Sequence, residues 1–395
     1  MARRAVAPPP PGGEESSGTT KGGSDPSSPT DPSDPTDPSV TDPTFGETGV
    51  PVDCEIYAGA LCFEVLAVAD FGAPVVDLTV AFLGEALTSV VVVTDDGLVW
   101  NVSGLDSDTF TPAMPLFQAG GVPSGLAVGP FPGADDGIDV AIAVSHDAGL
   151  STYSVADGVV VAESPIEGGA RAPLIDVFPI GDLWGESAIA VAGASGGLYV
   201  ATGTSLADGM PPFMANTTAA VLDLDLGYSD EVGSTLMASG GGPIEVFMFD
   251  GAIAPLTTID GAYDYVGALY GTQFTTLASA NAGQILVQLF QGTDATLVDT
   301  EQADVISDFQ LGEFDGVPGF DVAVMVARED GGAAVRMYGN RDDGTIVELG
   351  DIALPGLRAF VPHFSPQPLT DLIVAFETED GIPVIVQLRP TFFMP

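Results

Sequence analysis

The reactive side chains of this sequence are almost all carboxylates. The 395 residues contain 55 Asp and Glu, 9 Lys and Arg and two His, which gives a formal charge of −46. No cluster of cations is present to displace counterions from nucleic acid or to dock on an anionic membrane. Two carboxylates that face each other across a sugar can hydrolyse a glycosidic bond. A glycan-active enzyme with such a pair is the catalytic alternative that the composition leaves open.

A serine motif and two histidines are the other catalytic candidates. Residues 193–197 match G-x-S-x-G around Ser195, but a nucleophile elbow needs a helix after the serine. Residues 198–200 have the sequence of a strand, so we interpret the match as a hairpin turn. His146 and His363 lie in segments that lack a neighbouring nucleophile and orienting acid, and we expect both to be exposed loop histidines. The sequence therefore predicts no catalytic residue.

The first 50 residues differ in composition from the rest of the chain. They contain repeated Asp-Pro pairs mixed with Ser and Thr. Proline holds the backbone extended, and the segment has too few apolar residues to form a core. We interpret residues 1–50 as a disordered acidic tether, which resembles the tether that follows the acylated cysteine of bacterial lipoproteins. This predicts an extracytoplasmic protein, although residues 1–23 contain no apolar export signal.

Two cysteines, Cys54 and Cys62, follow the tether directly. An even pair so close in sequence, in a chain expected to be exported, predicts a disulfide that closes a short loop. Such a loop would add on the order of 2–3 kcal/mol of stability. Two buried free thiols are the alternative. Neither a CxxC spacing nor a neighbouring histidine indicates a metal or redox centre.

An internal repeat is the strongest signal in the sequence. Seven copies of the pattern strand, glycine turn, strand recur every 41 to 52 residues, as measured between the turn glycines. These glycines are Gly97, Gly149, Gly197, Gly242, Gly283, Gly332 and Gly381. Asp-Gly and Gly-Gly pairs permit the positive φ angles that tight hairpin turns need. Each copy is therefore predicted to be a β-hairpin.

Two weaker strands lie between successive hairpins, which makes about four strands per repeat. Four-stranded units at this period are the blades of a β-propeller, so residues 51–395 are predicted to be an all-β, seven-bladed propeller. The seventh copy lacks a fourth strand, and residues 63–68 form an unassigned apolar strand before the first copy. We predict that this strand completes blade seven and closes the ring. Trp100 and Trp184 are expected to pack between blades.

The sixth copy carries a recognisable motif. Residues 312–321 read GEFDGVPGFD and are followed by Val-Ala-Val, which resembles the GDFDGDGxxD pattern of FG-GAP/VCBS repeats. That resemblance implies the integrin-α-type seven-bladed propeller that is common in exported bacterial proteins. It covers about residues 63–390, with weaker matches at 137–141 and 370–374.

Calcium binding is a further implication of this resemblance. In the family, acidic residues at positions 1, 3, 5 and 9 of the loop often coordinate Ca²⁺. Residue by residue, the sixth copy offers Glu313, Asp315 and Asp321, but its fifth position is Val317. The fourth copy offers the pair Asp223 and Asp225. The alternative is that these acids stabilise turns by hydrogen bonding to loop amides without a metal.

The sequence as a whole favours a non-enzymatic binding or adhesion scaffold outside the cytoplasm. We expect a monomer that holds a protein or glycan ligand on one face of the ring, binds no nucleic acid and has no transmembrane helix. A glycan-active enzyme with two carboxylates in the central funnel is one alternative. A ligand-free structural spacer in the cell envelope is the other.

Overall fold

The computed structural model describes residues 61–392, with gaps at 84–87, 106–109, 112, 133–137, 181–182, 203–212, 230–232, 250–252, 271–274, 282, 292, 318–319, 329–330, 341–344 and 364–368. The predicted tether 1–50 lies outside the described part of the chain, and so does Cys54, which leaves the predicted disulfide with Cys62 untested. Within that part, no helix is long and apolar enough to cross a membrane.

The described residues form seven sheets of four antiparallel strands each. Blade 1 contains β2 (Val75–Phe82), β3 (Thr88–Thr94), β4 (Leu98–Ser103) and β5 (Met114–Gln118). Blade 2 contains β6 (Pro123–Pro132), β7 (Ile138–His146), β8 (Gly149–Ser154) and β9 (Val159–Pro165). Blade 3 contains β10 (Ala170–Ile180), β11 (Leu183–Gly193), β12 (Leu198–Thr202) and β13 (Phe213–Ala215).

The remaining blades continue in chain order. Blade 4 contains β14 (Asp223–Ser229), β15 (Gly233–Ser239), β16 (Gly242–Phe249) and β17 (Ile253–Tyr263). Blade 5 contains β18 (Tyr265–Tyr270), β19 (Thr275–Asn281), β20 (Gln284–Gln291) and β21 (Asp294–Gln302). Blade 6 contains β22 (Ile306–Gly312), β23 (Asp321–Ala327), β24 (Ala333–Asn340) and β25 (Ile346–Leu354). Blade 7 contains β26 (Ala359–His363), β27 (Asp371–Glu377), β28 (Pro383–Phe392) and β1 (Leu61–Asp70).

The seven-bladed propeller that the repeat predicts is therefore confirmed. The second strands explain the continuous apolar runs of the repeat, because neighbouring blades cover both of their faces. Every residue of β3 is buried, and so are the first six of β23 and β27. The repeat hairpins are the second and third strands of each blade, with antiparallel registers such as Val93 opposite Val99 in blade 1.

The turns of these hairpins need glycine for its backbone freedom. Gly97 and Gly381 have φ angles of +82° and +75°, which side chains with a Cβ rarely adopt. In blades 4 and 6 the left-handed residue is the glycine before the predicted one, Gly241 or Gly331, with φ of +81° or +85°. The glycine signal thus located every turn, with an offset of one residue in two of them.

Apolar clusters fill the spaces between successive blades. Trp100 contributes to the cluster between blades 7 and 1, where its ring meets Phe71 edge to face at a centroid distance of 6.0 Å. Its indole N–H donates to Thr94 Oγ1 at 3.1 Å. The interblade position predicted for Trp100 is confirmed, while the side chain of Trp184 falls outside the described part.

Strand β1 closes the ring. It pairs with β28 along its whole length, from Leu61 opposite Phe392 to Asp70 opposite Val384. The N-terminal strand thus supplies the outer strand of blade 7, as the sequence predicts. Phe63 of β1 is 8% exposed and lies in the same buried cluster as Leu388 and Val386.

We expect the melting temperature to fall sharply when residues 51–72 are deleted, because the last blade then has three strands and an open edge. The milder Phe63→Ala variant should lower the free energy of unfolding by about 3 kcal/mol through the cavity it leaves. Thermal and urea unfolding measure both effects. Deletion of residues 1–50 is the control and should leave the melting temperature unchanged. Equal melting temperatures of the wild type, the 1–50 deletion and the 51–72 deletion would contradict closure of the ring by β1.

Candidate functional site

One face of the ring carries the connections between blades. Because neighbouring strands within a blade are antiparallel, the link from each outer strand to the next inner strand emerges on the same face as the turn between second and third strands. Every inner strand begins at this face. We call it the link face.

A cavity of about 400 Å³ lies at the beginning of the inner strands. Residues from all seven inner strands line it, so it lies on the axis of the ring. Three carboxyl groups form part of its wall: Asp77 of β2, Asp223 of β14 and Asp308 of β22. Arg171 of β10 and Tyr265 of β18 line it as well. A cavity of about 330 Å³ shares part of this lining and continues along the inner strands.

The axial aspartates connect neighbouring blades by hydrogen bonds. Asp77 Oδ1 accepts the backbone N–H of Leu78 at 2.8 Å, and its Oδ2 accepts that of Leu126 in β6 at 2.7 Å. The same pair of contacts recurs on β14, from Asp223 to Leu224 and Val266 at 3.0 and 2.9 Å and from Asp225 to Leu226 and Ala268 at 2.8 and 2.7 Å. Inner strands need such partners because no further strand covers their axial edge.

Asp308 extends the pattern to the join between blades 6 and 7. Its Oδ1 accepts the N–H of Phe309 at 2.7 Å, and its carboxyl is also hydrogen-bonded by the backbone of Phe360 in β26 and by the side chain of Gln310. In the sequence, each of these aspartates precedes Leu or Phe near the start of a weak first strand. The sequence analysis did not identify Asp77 and Asp308 as site residues. The Asp-Leu or Asp-Phe dipeptide at the start of a first strand is the sequence signal that marks them.

Burial raises the pKa of all three axial carboxyls. The pKa of Asp77 rises to about 7 through burial and the nearby charge of Asp308. The pKa of Asp223 rises to about 8 through burial, with contributions from Asp225 and Asp308, and that of Asp308 rises to about 6 through burial. Part of each side chain faces the cavity, but protein surrounds the rest, and the backbone N–H bonds offset only part of the desolvation.

The two aspartates predicted in the fourth calcium loop lie elsewhere. Asp223 and Asp225 are the first and third residues of the inner strand β14, so the loop assignment is wrong. At these positions the acids accept hydrogen bonds from backbone N–H groups on the unpaired edge of the neighbouring inner strand. Metal binding by this pair stays a prediction, and each carboxylate oxygen already accepts one backbone N–H.

The predicted calcium loop of the sixth copy is the connection between β22 and β23. Asp321 Oδ2 accepts the N–H groups of Phe314 and Asp315 at 2.6 and 3.1 Å, and Asp315 Oδ1 accepts that of Val317 at 2.8 Å. Burial, and then the charge of Asp315, raises the pKa of Glu313. Over the described residues no group of three or more acidic, His or Cys side chains is arranged to hold a metal, and calcium at this loop stays a prediction.

Both histidines are buried, contrary to the expectation of exposed loops. His146 and His363 are the last residues of β7 and β26 and are 3% and 2% exposed. Their Ser-His-Asp and His-Phe-Ser contexts look like turns, but strand pairing continues through both positions, for example between His363 and Asp371. Tertiary pairing therefore overrides the local polarity of these segments.

His146 belongs to a hydrogen-bonded chain with Ser151 and Glu163. Its Nδ1 accepts the N–H of Ala148 at 3.2 Å, so the proton is on Nε2, which donates to Ser151 Oγ at 3.0 Å. Ser151 in turn donates to Glu163 Oε2 at 2.8 Å. A nucleophilic serine requires the opposite polarity, with the histidine accepting its proton. The cluster ties β7, β8 and β9 together and does not activate a nucleophile.

Ser195 lies in the turn between β11 and β12. This confirms the hairpin turn predicted from the strand-like sequence of residues 198–200. Its hydroxyl donates to the carbonyl of Glu167 at 3.3 Å, which joins this turn to the link that precedes β10. No helix follows it in the described turn and strand. The nucleophile-elbow interpretation is therefore excluded at this position.

The chain matches no known family model and no curated protein in sequence. Its fold is similar to solved structures. The crystal structure of BBS1N in complex with ARL6DN soaked with lead has a TM-score of 0.53 and 14% identity, over 81% of this chain and 93% of that chain. The mercury-soaked crystal of the same complex has a TM-score of 0.56 and 14% identity, over 83% of this chain and 96% of that chain. At such identity the likeness concerns the fold alone.

We expect the free energy of unfolding to fall as the pH rises from about 4 to about 8. Unfolded carboxyls titrate near about 3.9, so in this window the folded chain binds more protons than the unfolded one. The contribution of the three protonated carboxyls to stability is complete below about pH 4. It is lost as Asp308, Asp77 and Asp223 ionise, with pKa values of about 6, 7 and 8 respectively. Asp223→Asn should flatten this slope relative to the wild type, because an amide does not titrate. It also replaces one of the two acceptor oxygens by an NH2 donor, so the two chains are compared by their pH slopes. Urea unfolding at pH 5 and 8 measures both.

Asp299→Asn is the matched control. On the outer strand β21, Asp299 makes the same two contacts, accepting the N–H of Thr300 at 2.9 Å and of Ile346 at 2.8 Å. Its replacement removes one acceptor from the same pair of contacts on an outer strand, so it measures the cost of the lost hydrogen bond away from the axis. If the free energy of unfolding of the wild type and of Asp223→Asn changed equally with pH, the buried axial carboxyls would not be the source of the pH dependence.

Proposed function

We propose that this chain is a non-enzymatic scaffold that binds a protein partner on its link face. The observation that carries the proposal is a set of exposed apolar side chains at the start of three inner strands, of which Leu222 also lines the axial cavity. Val122, Leu222 and Val305 are 61%, 42% and 58% exposed. Each immediately precedes an inner strand, in blades 2, 4 and 6 respectively. They therefore alternate around the ring.

Exposed apolar groups of this kind are suited to the centre of a protein interface, where charged residues are depleted. Complete burial of each would contribute about 1.5–3 kcal/mol relative to exposure. Ile382, in the turn between β27 and β28, is 47% exposed on the same face. The chain carries a net charge of −46, so a partner with a basic rim around an apolar centre fits this surface best.

The solved structures of similar fold support a role in protein complexes. BBS1N was crystallised in complex with ARL6DN. A closed ring is a rigid support for such contacts, because the loops that bind are held at the ends of paired strands.

The axial carboxyls fit this non-enzymatic role. Both oxygens of Asp77 and Asp223 accept backbone N–H groups from two strands, which gives these groups a structural purpose without any substrate. Their raised pKa values follow from the burial that this purpose requires.

The setting that we propose is outside the cytoplasm, with the chain acting as a monomer on its acidic tether. The composition of residues 1–50 and the motif at residues 312–321 support it, since both resemble features of exported bacterial proteins. A relationship to FG-GAP/VCBS repeats, the lipoprotein-type tether and calcium binding belong to the same proposal. Fractionation of cells that express the native gene tests the location.

Replacement of the three apolar residues should weaken partner binding. The variant Val122→Ser, Leu222→Ser, Val305→Ser removes the apolar contacts of the link face, and we expect at least a tenfold loss of affinity. Quantitative cross-linking and affinity capture from native extracts measure it.

The matched control replaces Val159 and Val160 by Ser. These two residues are 52% and 38% exposed on β9, the outer strand of blade 2, away from the axis. A partner lost by the control and kept by the triple variant would overturn the link-face assignment. Absence of any specific partner would favour the structural spacer.

A glycan-active enzyme is the second candidate, because the axial cavity combines several carboxyls with pKa values of about 6 to 8. A general acid and a carboxylate base need such a separation of pKa values. In that case Asp77→Asn and Asp308→Asn should each abolish hydrolysis of neutral and acidic polysaccharides while the chain stays folded. No release of reducing sugar by the wild-type chain would reject this candidate.

A further inference from the structure

A polar groove opens on the link face between blades 4 and 5, away from the axis. Its volume is about 560 Å³, within the range of about 300–1,000 Å³ that small-molecule sites occupy. Blade 4 and the following link contribute one wall with Gly241 and Asp264. Blade 5 contributes the other wall with Asn281, Gln284 and Gln302. The groove shares none of these residues with the axial cavity.

The three amides form one row across blade 5. Asn281 at the end of β19 is the cross-strand partner of Gln284 in β20, and Gln284 is the partner of Gln302 in β21. Directly opposed residues point to the same side of a sheet. The row therefore presents three primary amides to the groove, side by side.

These amides remain accessible. Asn281 and Gln284 are partly exposed and Gln302 is exposed. None of the three amide groups makes a hydrogen bond to another residue in the described part of the chain. Their donors and acceptors are available to a ligand at no cost of breaking internal bonds.

Backbone hydrogen bonds hold the walls in place. The N–H groups of Gly240 and Gly241 donate to the carbonyl of Tyr263 at 3.0 and 2.7 Å, and Asp264 N–H donates to Ala280 at 2.8 Å. The last contact continues the pairing of β18 with β19 into the link that precedes blade 5. Gly241 has a φ of +81°, and a Cβ there would lie 3.5 Å from Asp264 Oδ1, inside the groove. The site is therefore preformed, which lowers the entropic cost of binding.

The chemistry of the lining selects the ligand. Each primary amide offers two donors and an acceptor, and Asp264 adds a carboxylate acceptor. No described residue of the lining is cationic, and the surrounding chain is strongly acidic, so anions are disfavoured. A ring of vicinal hydroxyls matches such a row because each hydroxyl both donates and accepts. We propose that this groove is a binding site for a neutral carbohydrate, independent of the protein-binding function of the link face.

The test uses the full chain and a panel of neutral tetrasaccharides of glucose, galactose, mannose and N-acetylglucosamine. We expect at least one to bind, measured by calorimetry and by saturation-transfer NMR. Gln284→Ala and Gln302→Ala should each weaken binding roughly threefold to tenfold, since each removes hydrogen bonds between neutral groups. The double variant should abolish detectable binding.

Gln291→Ala is the matched control. Gln291 is exposed at the opposite end of the same strand, β20, and its replacement should leave carbohydrate affinity unchanged. Melting curves of all variants establish that they are folded. Binding of a neutral ligand should also be the same in 50 mM and 500 mM salt, about a threefold change in Debye length.

Three results would overturn the proposal. One is that no sugar of the panel binds the wild-type chain. Another is that Gln291→Ala weakens binding as much as Gln284→Ala. The third is that the double variant loses nothing, as it would if the sugar occupied the axial cavity. Loss of the protein partner in the Val122, Leu222, Val305 variant with carbohydrate binding intact would separate the two functions.

Discussion

Closure of the ring is the constraint on which the structure depends. Each blade covers the faces of its neighbours, so the apolar second strands are buried only if the last blade also meets the first. The pairing of β1 with β28 fulfils this condition, and it removes the open edge that a linear array would expose. The strand that closes the ring comes from the other end of the chain, which explains why blade 7 lacks a fourth strand in the C-terminal repeat.

Closure also creates the axis and its chemistry. Seven inner strands meet there without a further strand to pair with, and aspartates such as Asp77 and Asp223 supply acceptors for the N–H groups of the next blade. Burial of these carboxyls is the price of that arrangement and raises their pKa values. The same topology gathers the links at one face, where apolar side chains and the amide groove lie. The exposed side chains of this face and the axial hydrogen bonds thus involve different residues on one framework.

Local polarity misled the sequence reasoning where pairing decides the outcome. His146 and His363 sit among Ser, Asp and Phe and were expected in exposed loops, yet both end buried strands. Asp223 and Asp225 were expected in a calcium loop, yet they lie on an inner strand. A short alternation of Asp and Leu is compatible with either setting. Only the neighbouring blade, more than 40 residues away, distinguishes them.

The sequence by itself determined the number of blades, the hairpins and the strand that closes the ring. These features are periodic, because every blade buries its second strand between two neighbouring blades. Seven repetitions make the pattern recognisable in the sequence. Tertiary structure alone decided what meets at the axis and in the groove between blades 4 and 5. Strand register placed Asn281, Gln284 and Gln302 in one row. Closure of the ring brought Asp77 and Asp308 to the same cavity, where the charge of Asp308 raises the pKa of Asp77. Such contacts join distant repeats, and no local pattern encodes them.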